Sequence, residues 1–391
     1  MNKKLIALAI AGAFAVPLAA NADTSNVVIY GEMAVSVDNV DGGGGSLPPP
    51  ASGSPASADN RTRISSNNSF LGFKGAEDMG NGLNAIWQFE NQVALDIGGL
   101  SGVRNSFLGL AGKEWGSVTL GKQDTPHKTS TGKLDVFGQH TLADYRSLFG
   151  AKILDVPTVL GPPVVPAVAF GITQSERASN SILYTSPNMS GFTAKAMWAA
   201  KNESGVASGA TKGQLYSVSG VYENGPIYGA LAYEKEKNGA AAGAYEDGKK
   251  ARVGFGYSFG DFKLGLAYEN YKGTVQAAAP ATTNTTAKRN DWYVSGAWAM
   301  GPNTLKLAYT KAGKTKYNNG APDADGANQV SLGFSHNMSK RTEVFALYTR
   351  VANSGTATYS LGGGATGIDA VTASGPGEDP RGFQVGMVHK F

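Results

Sequence analysis

The chain has 391 residues, contains no cysteine and carries a formal net charge of +4. The lack of cysteine excludes thiol catalysis, a disulfide scaffold and cysteine-type zinc sites. A charge this small, without a Lys/Arg-rich run, does not fit the clustered basic face of a nucleic-acid-binding protein, so we expect no nucleic-acid partner. Gly (53 residues), Tyr (16) and Phe (16) are abundant and show no helical period, which indicates a sheet protein.

Residues 1–22 have the pattern of a secretory signal peptide. Two lysines at positions 3–4 precede an apolar run over residues 5–20, and "ANA" at 20–22 provides a small-x-small cleavage site. A membrane-anchoring helix is the alternative, but the run is shorter than the ~20 apolar residues that a bilayer span needs. We therefore expect export through the periplasm and a mature chain that begins at Asp23 with a formal charge of about +2.

The rest of the chain is a series of short segments with a hydrophobic period of two. In residues 251–260, Val253, Phe255 and Tyr257 fall on one face, while the other face is small or polar. This alternation is typical of a strand that lies between two different environments. The sixteen segments of this kind are, in chain order, 26–37, 61–77, 82–94, 104–112, 115–123, 177–187, 191–200, 213–223, 226–235, 249–259, 261–271, 289–299, 303–312, 327–337, 341–350 and 381–391.

The connections between these segments alternate between tight turns and long polar loops. The tight turns are 78–82, 112–116, 186–191, 223–226, 259–261, 300–303 and 337–340. The long loops are 38–60, 95–103, 124–176, 201–212, 236–248, 272–288, 313–326 and 351–380. Short turns on one side, long loops on the other and an even strand number are typical of outer-membrane barrels. The sequence therefore predicts an all-β fold, a 16-stranded antiparallel transmembrane β-barrel that exposes no sheet edge to lipid.

A soluble β-sandwich is the alternative fold. Its apolar faces would form a core rich in Leu, Ile and Val, whereas the apolar faces here are rich in Tyr, Phe and Trp. The opposite faces carry Lys, Arg, Glu, Gln, Gly and Ser, which favours lipid outside and water inside. The last segment, "GFQVGMVHKF" (382–391), alternates up to Phe391, as expected of a strand that closes against the first.

Five stretches dispersed along the chain carry a family resemblance: "VIYGEM" (28–33), "FLGFKGAEDMGNGLNAIWQFE" (70–90), "RNSFLGLAGKEWGSVTLGKQDTP" (104–126), "RASNSILYTSPNMSGF" (177–192) and "VGMVHKF" (385–391). They resemble the trimeric 16-stranded general porins of Gram-negative outer membranes, most closely the β-proteobacterial type. The resemblance implies a homotrimer in the lipid bilayer of the outer membrane, through which ions and small hydrophilic solutes diffuse passively. It also implies that the terminal Phe391 is a signal read by the outer-membrane barrel assembly machinery.

The longest loop, residues 124–176, follows the fifth strand, where the resemblance implies a constriction loop folded into the lumen. A 16-stranded barrel otherwise leaves an open channel, and selectivity needs charges at short range. In the resembled porins, acids of this loop face bases of the wall. The matching wall bases are Arg104, Lys122 and Arg177, and the candidate acids are Asp124, Asp135 and Asp144.

The sequence departs from the family pattern in two places. Phe70 stands where a wall arginine is expected, and Arg61 and Arg63 lie farther up the strand. The long loop also contains the apolar, Pro-rich stretch 156–171. This stretch packs on the wall, caps the lumen or touches a neighbouring subunit, and the sequence does not distinguish these three roles.

We expect a general diffusion porin that excludes solutes by size and filters them by charge, with a lean towards anions from the proposed wall bases Arg104, Lys122 and Arg177. The alternatives are a substrate-selective channel or, less in keeping with the pattern, a barrel-based enzyme or adhesin. The pattern G-x-S-x-G occurs at residues 256–260, but there it lies at the end of a predicted strand that runs into a tight turn and the next strand. A nucleophile elbow needs a strand–turn–helix, so catalysis is not expected. No cofactor or metal is expected, because the four histidines lack metal-ligand spacing: His127, His140, His336 and His389.

Overall fold

The computed structural model describes residues 27–43, 60–151, 177–200, 213–238, 246–275, 285–318, 325–362 and 369–391. The predicted signal peptide (1–22) and the apolar stretch 156–171 lie outside the described residues. Both therefore stay predictions.

Within the described residues, all strand segments belong to one antiparallel sheet. They are β1 Val28–Asp41, β2 Arg61–Ser66, β3 Phe70–Asp78, β4 Leu83–Val93, β5 Leu100–Gly112, β6 Gly116–Asp124, β7 Arg177–Thr185, β8 Phe192–Ala200, β9 Gln214–Asn224, β10 Ile227–Asn238, β11 Glu246–Phe259, β12 Phe262–Val275, β13 Thr285–Met300, β14 Asn303–Ala312, β15 Lys316–Tyr317, β16 Ala327–Asn337, β17 Thr342–Asn353 and β18 Arg381–Lys390.

These segments form a closed barrel of 16 strands, which confirms the predicted fold. β2 and β3 both pair with β1 and together make one barrel strand. The interruption between them lies at Asn67, whose backbone N–H donates to Ala34 O, and at Asn68, which has a φ of 56°. β15 is a two-residue addition beside β13, and β1 pairs with β18 to close the sheet. On the long-loop side, β10–β13 extend a few residues farther than the sequence predicts.

The two faces of the barrel have inverted polarity relative to a water-soluble protein. Outward-facing Leu231 and Phe255 are 64% and 51% exposed, whereas inward-facing Glu234 and Arg252, on the same strands, are buried. Water would disfavour an apolar surface of this extent, so the outer face is suited to lipid. No helix within the described ranges is long and apolar enough to cross a bilayer.

The tight turns are closed by glycines whose backbone an L-side chain would strain. Gly225, Gly260 and Gly301 have φ values of 57°, 55° and 64°. Because glycine has no Cβ, it adopts this left-handed region without steric cost. Glycine therefore marks these turns in the sequence because the backbone of each turn needs this left-handed conformation.

The chain terminus is part of the wall. The N–H of Phe391 donates to Gly31 O at 3.2 Å, and the N–H of Gly31 donates to Phe391 O at 3.1 Å. A Cβ at Gly31 would lie 2.7 Å from Phe391 Cζ, so the glycine leaves space for the terminal ring. The last strand thus closes on the first as predicted, while the role of Phe391 as an assembly signal stays a prediction.

Candidate functional site

The loop after β6 enters the barrel and packs on the inner wall, as predicted for the third loop. Its described part, residues 125–151, contains the helix α1 (Pro126–Thr129) and two 3-10 turns, Gly132–Leu134 and Tyr145–Ser147. Thr125 caps α1, because its hydroxyl accepts from the backbone N–H of Lys128 at 3.2 Å. We call residues 125–151 the lumen loop.

Strands β10–β13 carry buried charged side chains that the sequence motifs did not identify. They include Glu234, Lys250, Arg252, Glu269, Arg289 and Asp291. On each strand these residues alternate with outward-facing apolar, polar or basic residues. The phase of this alternation is the sequence signal that could have placed them inside the barrel. Their partners were not visible, because those partners lie on other strands and on the lumen loop.

The start of the lumen loop is fixed by Arg252 and Glu269. The Arg252 Nε and Nη2 atoms lie 2.7 and 2.6 Å from Glu269 Oε2, and His127 Nε2 lies 3.0 Å from the same oxygen. Arg252 Nη1 also donates to the backbone oxygen of His127 at 3.3 Å. Burial, reinforced by Arg252, lowers the pKa of His127. The wall ion pair therefore holds both the side chain and the backbone of α1.

A second ion pair holds the far end of the lumen loop. Arg289 Nε donates to Asp291 Oδ1 at 2.9 Å, and the N–H of Gly150 donates to Asp291 Oδ2 at 3.0 Å. Arg289 Nη2 also donates to the backbone oxygen of Ala151. Buried charges are stable only when paired and hydrogen-bonded, and the loop backbone supplies part of that pairing.

Gly150 lies directly over the first ion pair. Its φ is +69°, and a Cβ at this position would be 2.8 Å from Arg252 Nη2 and 2.9 Å from Glu269 Oε1. Both the backbone conformation and the contact therefore require glycine here.

Apolar side chains fill the space between the lumen loop and the wall. Tyr145 and Phe149 are fully buried, and the Tyr145 ring centroid lies 4.7 Å from that of Tyr293 on β13. Leu142 and Leu148 are also fully buried. Each such side chain stabilises the docked loop by roughly 1.5–3 kcal/mol relative to exposure.

The last long loop, between β17 and β18, contributes to the same interior. Its Leu361 and Val371 are fully buried and belong to one apolar cluster with Leu142 and Leu148. Its Tyr359 hydroxyl accepts from Arg289 Nη1 at 2.8 Å. The sequence pattern predicted only a long polar loop over residues 351–380, whereas the described part of this loop packs on the lumen loop.

The tip of the lumen loop is tied to the seam where the barrel closes. His140 Nδ1 lies 3.1 Å from Glu32 Oε1 on β1, and Lys390 Nζ on β18 lies 3.4 Å from Glu32 Oε2. The N–H of Leu142 donates to Gln384 Oε1, also on β18, at 3.0 Å.

Three of the six predicted constriction residues come together on neighbouring strands. Arg177 Nε lies 3.2 Å from Asp124 Oδ1, and both residues bond to Asn105. Lys128 of the lumen loop reaches the same carboxylate at 2.6 Å. Arg104, on β5, is close enough to Arg177 for their charges to interact. Arg104, Asp124 and Arg177, with Lys128, form what we call the basic cluster.

Phe70, which replaces an expected wall arginine, supports the basic cluster. Its ring centroid lies 4.5 Å from the Arg104 guanidinium carbon, within cation–π range. Arg104 also donates to Asn68 and has its Nε 3.5 Å from Glu90 Oε2. Phe70 in place of the expected arginine therefore removes one base from the wall and holds another, Arg104, in position.

The other three predicted residues lie outside this cluster. Asp144 accepts from Arg146 Nη2 at 2.6 Å and from Arg146 Nε at 3.0 Å. Asp135 accepts from Phe137 N–H at 3.0 Å, and burial together with Asp144 raises the pKa of Asp135 to about 7. Lys122 is partly exposed opposite Ser106, and within the described residues no ion pair joins it to an acid.

The four histidines are dispersed. His127 and His140 bind wall carboxylates, His336 Nδ1 lies 2.8 Å from Asn303 Oδ1, and His389 Nδ1 lies 2.9 Å from Thr342 Oγ1. In the described part of the chain, no group of three or more His, Cys, Asp or Glu side chains is arranged to hold a metal ion.

Known proteins with a similar sequence are outer-membrane porins. A family model described as Gram-negative porin matches residues 7–356. The chain is 28% identical over 402 residues to outer membrane porin protein 32 of Delftia acidovorans, with all of both chains covered.

Two solved structures are similar in fold. One is the anion-selective porin from Comamonas acidovorans, with a TM-score of 0.73, 24% identity, and coverage of 94% of this chain and 100% of that one. The other is the trimer form of OmpT from Vibrio cholerae, with a TM-score of 0.62, 17% identity, and coverage of 94% and 100%.

Proposed function

Because the chain belongs to the Gram-negative porin family, we propose that its barrel is a water-filled outer-membrane channel for passive diffusion of ions and small hydrophilic solutes, with the basic cluster as its charge filter. The predicted family and the outer-membrane location are confirmed. The family indicates a channel rather than an enzyme. What remains a proposal is where solutes pass and how they are selected.

The placement of the lumen loop supports a passage along β3–β8. The loop contacts given above join it to β1, to β11–β13 and to β18, so it occupies that side of the lumen. The wall residues of the basic cluster, Arg104, Asp124 and Arg177, lie on the other side, on β5–β7, and Lys128 reaches them from the start of the lumen loop. Lys195 on β8 is also interior and within electrostatic range of Asp124. A solute confined to this side passes charged groups at short range, where they act most strongly.

The balance of charge in this passage supports anion preference. Arg104, Arg177, Lys128 and Lys195 are opposed by two acids, Asp124 and Glu90. The similar porin from Comamonas acidovorans is named anion-selective, in keeping with this balance. The surplus of bases in the filter is the observation that carries the proposal.

Single-channel recording tests the proposal. We would reconstitute the protein in a planar bilayer and measure the reversal potential across a salt gradient. The expected result is stepwise conductance with a reversal potential of anion sign. Arg104→Gln with Arg177→Gln should lower the anion-to-cation permeability ratio at least about twofold, because two of the bases in the filter are lost.

Lys113→Gln is the matched control, because Lys113 is exposed in the turn between β5 and β6. It should leave the ratio unchanged. Absence of conductance from a folded barrel would refute the channel, and an unchanged ratio in the double variant would refute the filter.

Assembly as a homotrimer is a further proposal. It is supported by the family and by the trimer form named for the similar Vibrio cholerae protein. Native mass measurement of the detergent-solubilised protein should give three times the chain mass, and a monomer would exclude the trimer.

We also propose that residues 1–22 direct export and that Phe391 is recognised during assembly by the barrel assembly machinery. Removal of Phe391 should lower the amount of protein in the outer membrane without changing the conductance of the barrels that do assemble. Normal surface amounts after this deletion would exclude the signal.

A further inference from the structure

Five lysines occupy consecutive cross-strand positions at the long-loop end of the barrel. In the sheet register, Lys235 is opposite Lys249, and Lys249 is opposite Lys272. Lys272 is in turn opposite Lys288, which is opposite Lys316. We call these five residues the lysine row; it crosses β10, β11, β12, β13 and β15.

The lysine row faces away from the lumen. Lys235 shares its face with outward Leu231 and Tyr233, and Lys272 shares its face with outward Leu264 and Leu266. Lys235 is partly exposed and the other four are exposed. The row therefore belongs to the outer surface of the barrel.

Within the described residues, no ion pair joins any member of the row to an acid. Other outward bases near the same rim do have such partners, since Arg381 Nη2 lies 2.7 Å from Asp41 Oδ2 and Arg350 Nη2 lies 2.7 Å from Asp379 Oδ2. Like charges directly opposite one another destabilise a strand pair. Four such pairs in succession concentrate positive charge that attracts an anion from outside the described residues.

The height of the lysine row along the barrel indicates which kind of anion lies beside it. At the turn end, Phe262 stacks on Phe259 and Trp298 with centroid distances of 5.4 and 5.6 Å. From Phe262 to Lys272 the strand rises about ten residues, or roughly 23 Å of height at a tilt of ~45°. The apolar band of such barrels is ~25 Å tall. The lysine row therefore lies at the edge of the lipid-facing band, at the level of lipid headgroups.

We propose that the lysine row binds phosphate-bearing headgroups of anionic lipids in the leaflet on the long-loop side of the barrel. Each headgroup phosphate would lie between lysines of adjacent strands, which are ~4.8 Å apart. The acyl chains of the same lipids would pack on the apolar residues below the row, such as Leu231 and Leu266. This combination of a charged rim and an adjoining apolar surface fits a lipid better than a soluble anion.

Thermal stability in vesicles of defined composition tests the proposal. The folded protein would be placed in phosphatidylcholine vesicles with or without phosphatidylglycerol, and loss of the compact band in detergent gels would be followed with temperature. For the wild type, phosphatidylglycerol should raise the unfolding temperature by about 5 °C. A variant with Lys249→Gln, Lys272→Gln and Lys288→Gln should lose most of this rise.

The same variant gives a second signature in pure phosphatidylcholine. There it should be at least as stable as the wild type, because the repulsion between opposed lysines is gone. A merely structural role for these lysines would lower its stability instead, and that result would overturn the proposal.

Two controls complete the test. Lys113→Gln, Lys263→Gln and Lys340→Gln change three exposed lysines at the opposite rim and should preserve the rise. An equal loss of the rise in this control would overturn the assignment to the lysine row. An equal rise in the wild type from inorganic phosphate added to phosphatidylcholine vesicles would show a soluble-anion site and overturn the assignment to lipid.

Discussion

Strands β10–β13 carry charges on both faces, and the two faces differ in how those charges are neutralised. Toward the lumen, Arg252 lies 2.6 Å from Glu269, and Arg289 lies 2.9 Å from Asp291. Toward the outside, the same strands carry lysines opposite lysines. Charges in the protein interior must be matched by the protein because burial makes an unpaired charge very costly. Charges at the outer rim can instead be neutralised by lipid headgroups or solvent ions. The stability of the outer rim should therefore depend on the lipid composition.

Breaking an inner pair should give the largest effect. Glu269→Gln leaves the buried Arg252 without its carboxylate and removes the partner of His127, which should cost about 3–5 kcal/mol of folding free energy. The start of the lumen loop should also loosen, so single-channel conductance should rise or become noisy. Heat-induced unfolding and single-channel recording measure the two effects.

The matched control for this change is Glu77→Gln, since Glu77 is exposed near the end of β3. It should be close to neutral. Equal stability of the two variants would mean that the inner pair does not hold the loop.

A substitution in the lumen loop tests the contact of the loop with the Arg252–Glu269 pair. Gly150→Ala should destabilise the protein by about 1–3 kcal/mol, because its φ is +69° and the new Cβ would meet Arg252 and Glu269. Gly98→Ala is the control: Gly98 has a φ of +74° but nothing within 4 Å of the added Cβ. The difference in unfolding temperature between the two variants therefore isolates the contact. If the variants are equally destabilised, the contact contributes nothing.

Interior bases should also respond to pH. Burial lowers the pKa of Lys128 to about 8; Asp124 opposes this shift, while Arg177 and Arg146 add to it. Because the pKa in the folded protein lies below the usual value, Lys128 loses its charge as the pH rises through about 8. The anion-to-cation permeability ratio should then fall by about twofold between pH 7 and pH 9.

The variant Lys128→Gln separates this step from other titrations. It should abolish the step near pH 8 and preserve any change near pH 7 from Asp135, whose pKa is raised to about 7. Reversal potentials measured across this pH range decide the point. An unchanged step in Lys128→Gln would exclude Lys128 as its source.

The smallest effect is expected at an exposed pair on the rim. Arg350 and Asp379 lie 2.7 Å apart, but their side chains are 52% and 31% exposed. Arg350→Gln should cost no more than about 1 kcal/mol, because solvent screens such pairs. Unfolding temperature again measures the change, and a loss comparable to that of Glu269→Gln would contradict the distinction between inner and outer charges.

Much of the fold was predictable because it follows from local alternation. Val253, Phe255 and Tyr257 alternate with small or polar residues, and a period of two is enough to identify a strand and its two faces. Closure also followed from the terminal alternation that ends at Phe391. The extra length of β10–β13 was missed, because outside the bilayer lysines and asparagines replace the apolar residues that marked the strand.

The site was only partly predictable, because its geometry depends on contacts between distant parts of the chain. Arg104, Asp124 and Arg177 were found through family motifs and do come together. Asp144, which was expected to face wall bases, has instead a local partner in Arg146, two residues later. The pairing of Arg252 with Glu269 and His127 required knowledge of where a loop from another region docks. Whether the predicted residues form the constriction stays a prediction.

The link between the lumen loop and the closing seam has a consequence for the order of events during folding. The loop lies in the first half of the chain, yet Leu142 is bound by Gln384, and His140 is bound by a glutamate that Lys390 also contacts. Gln384 and Lys390 lie on β18, so they are in place only after the last strand has joined the first. The lumen loop therefore reaches its final position late. A barrel whose first and last strands have not yet paired should conduct more ions than the finished barrel.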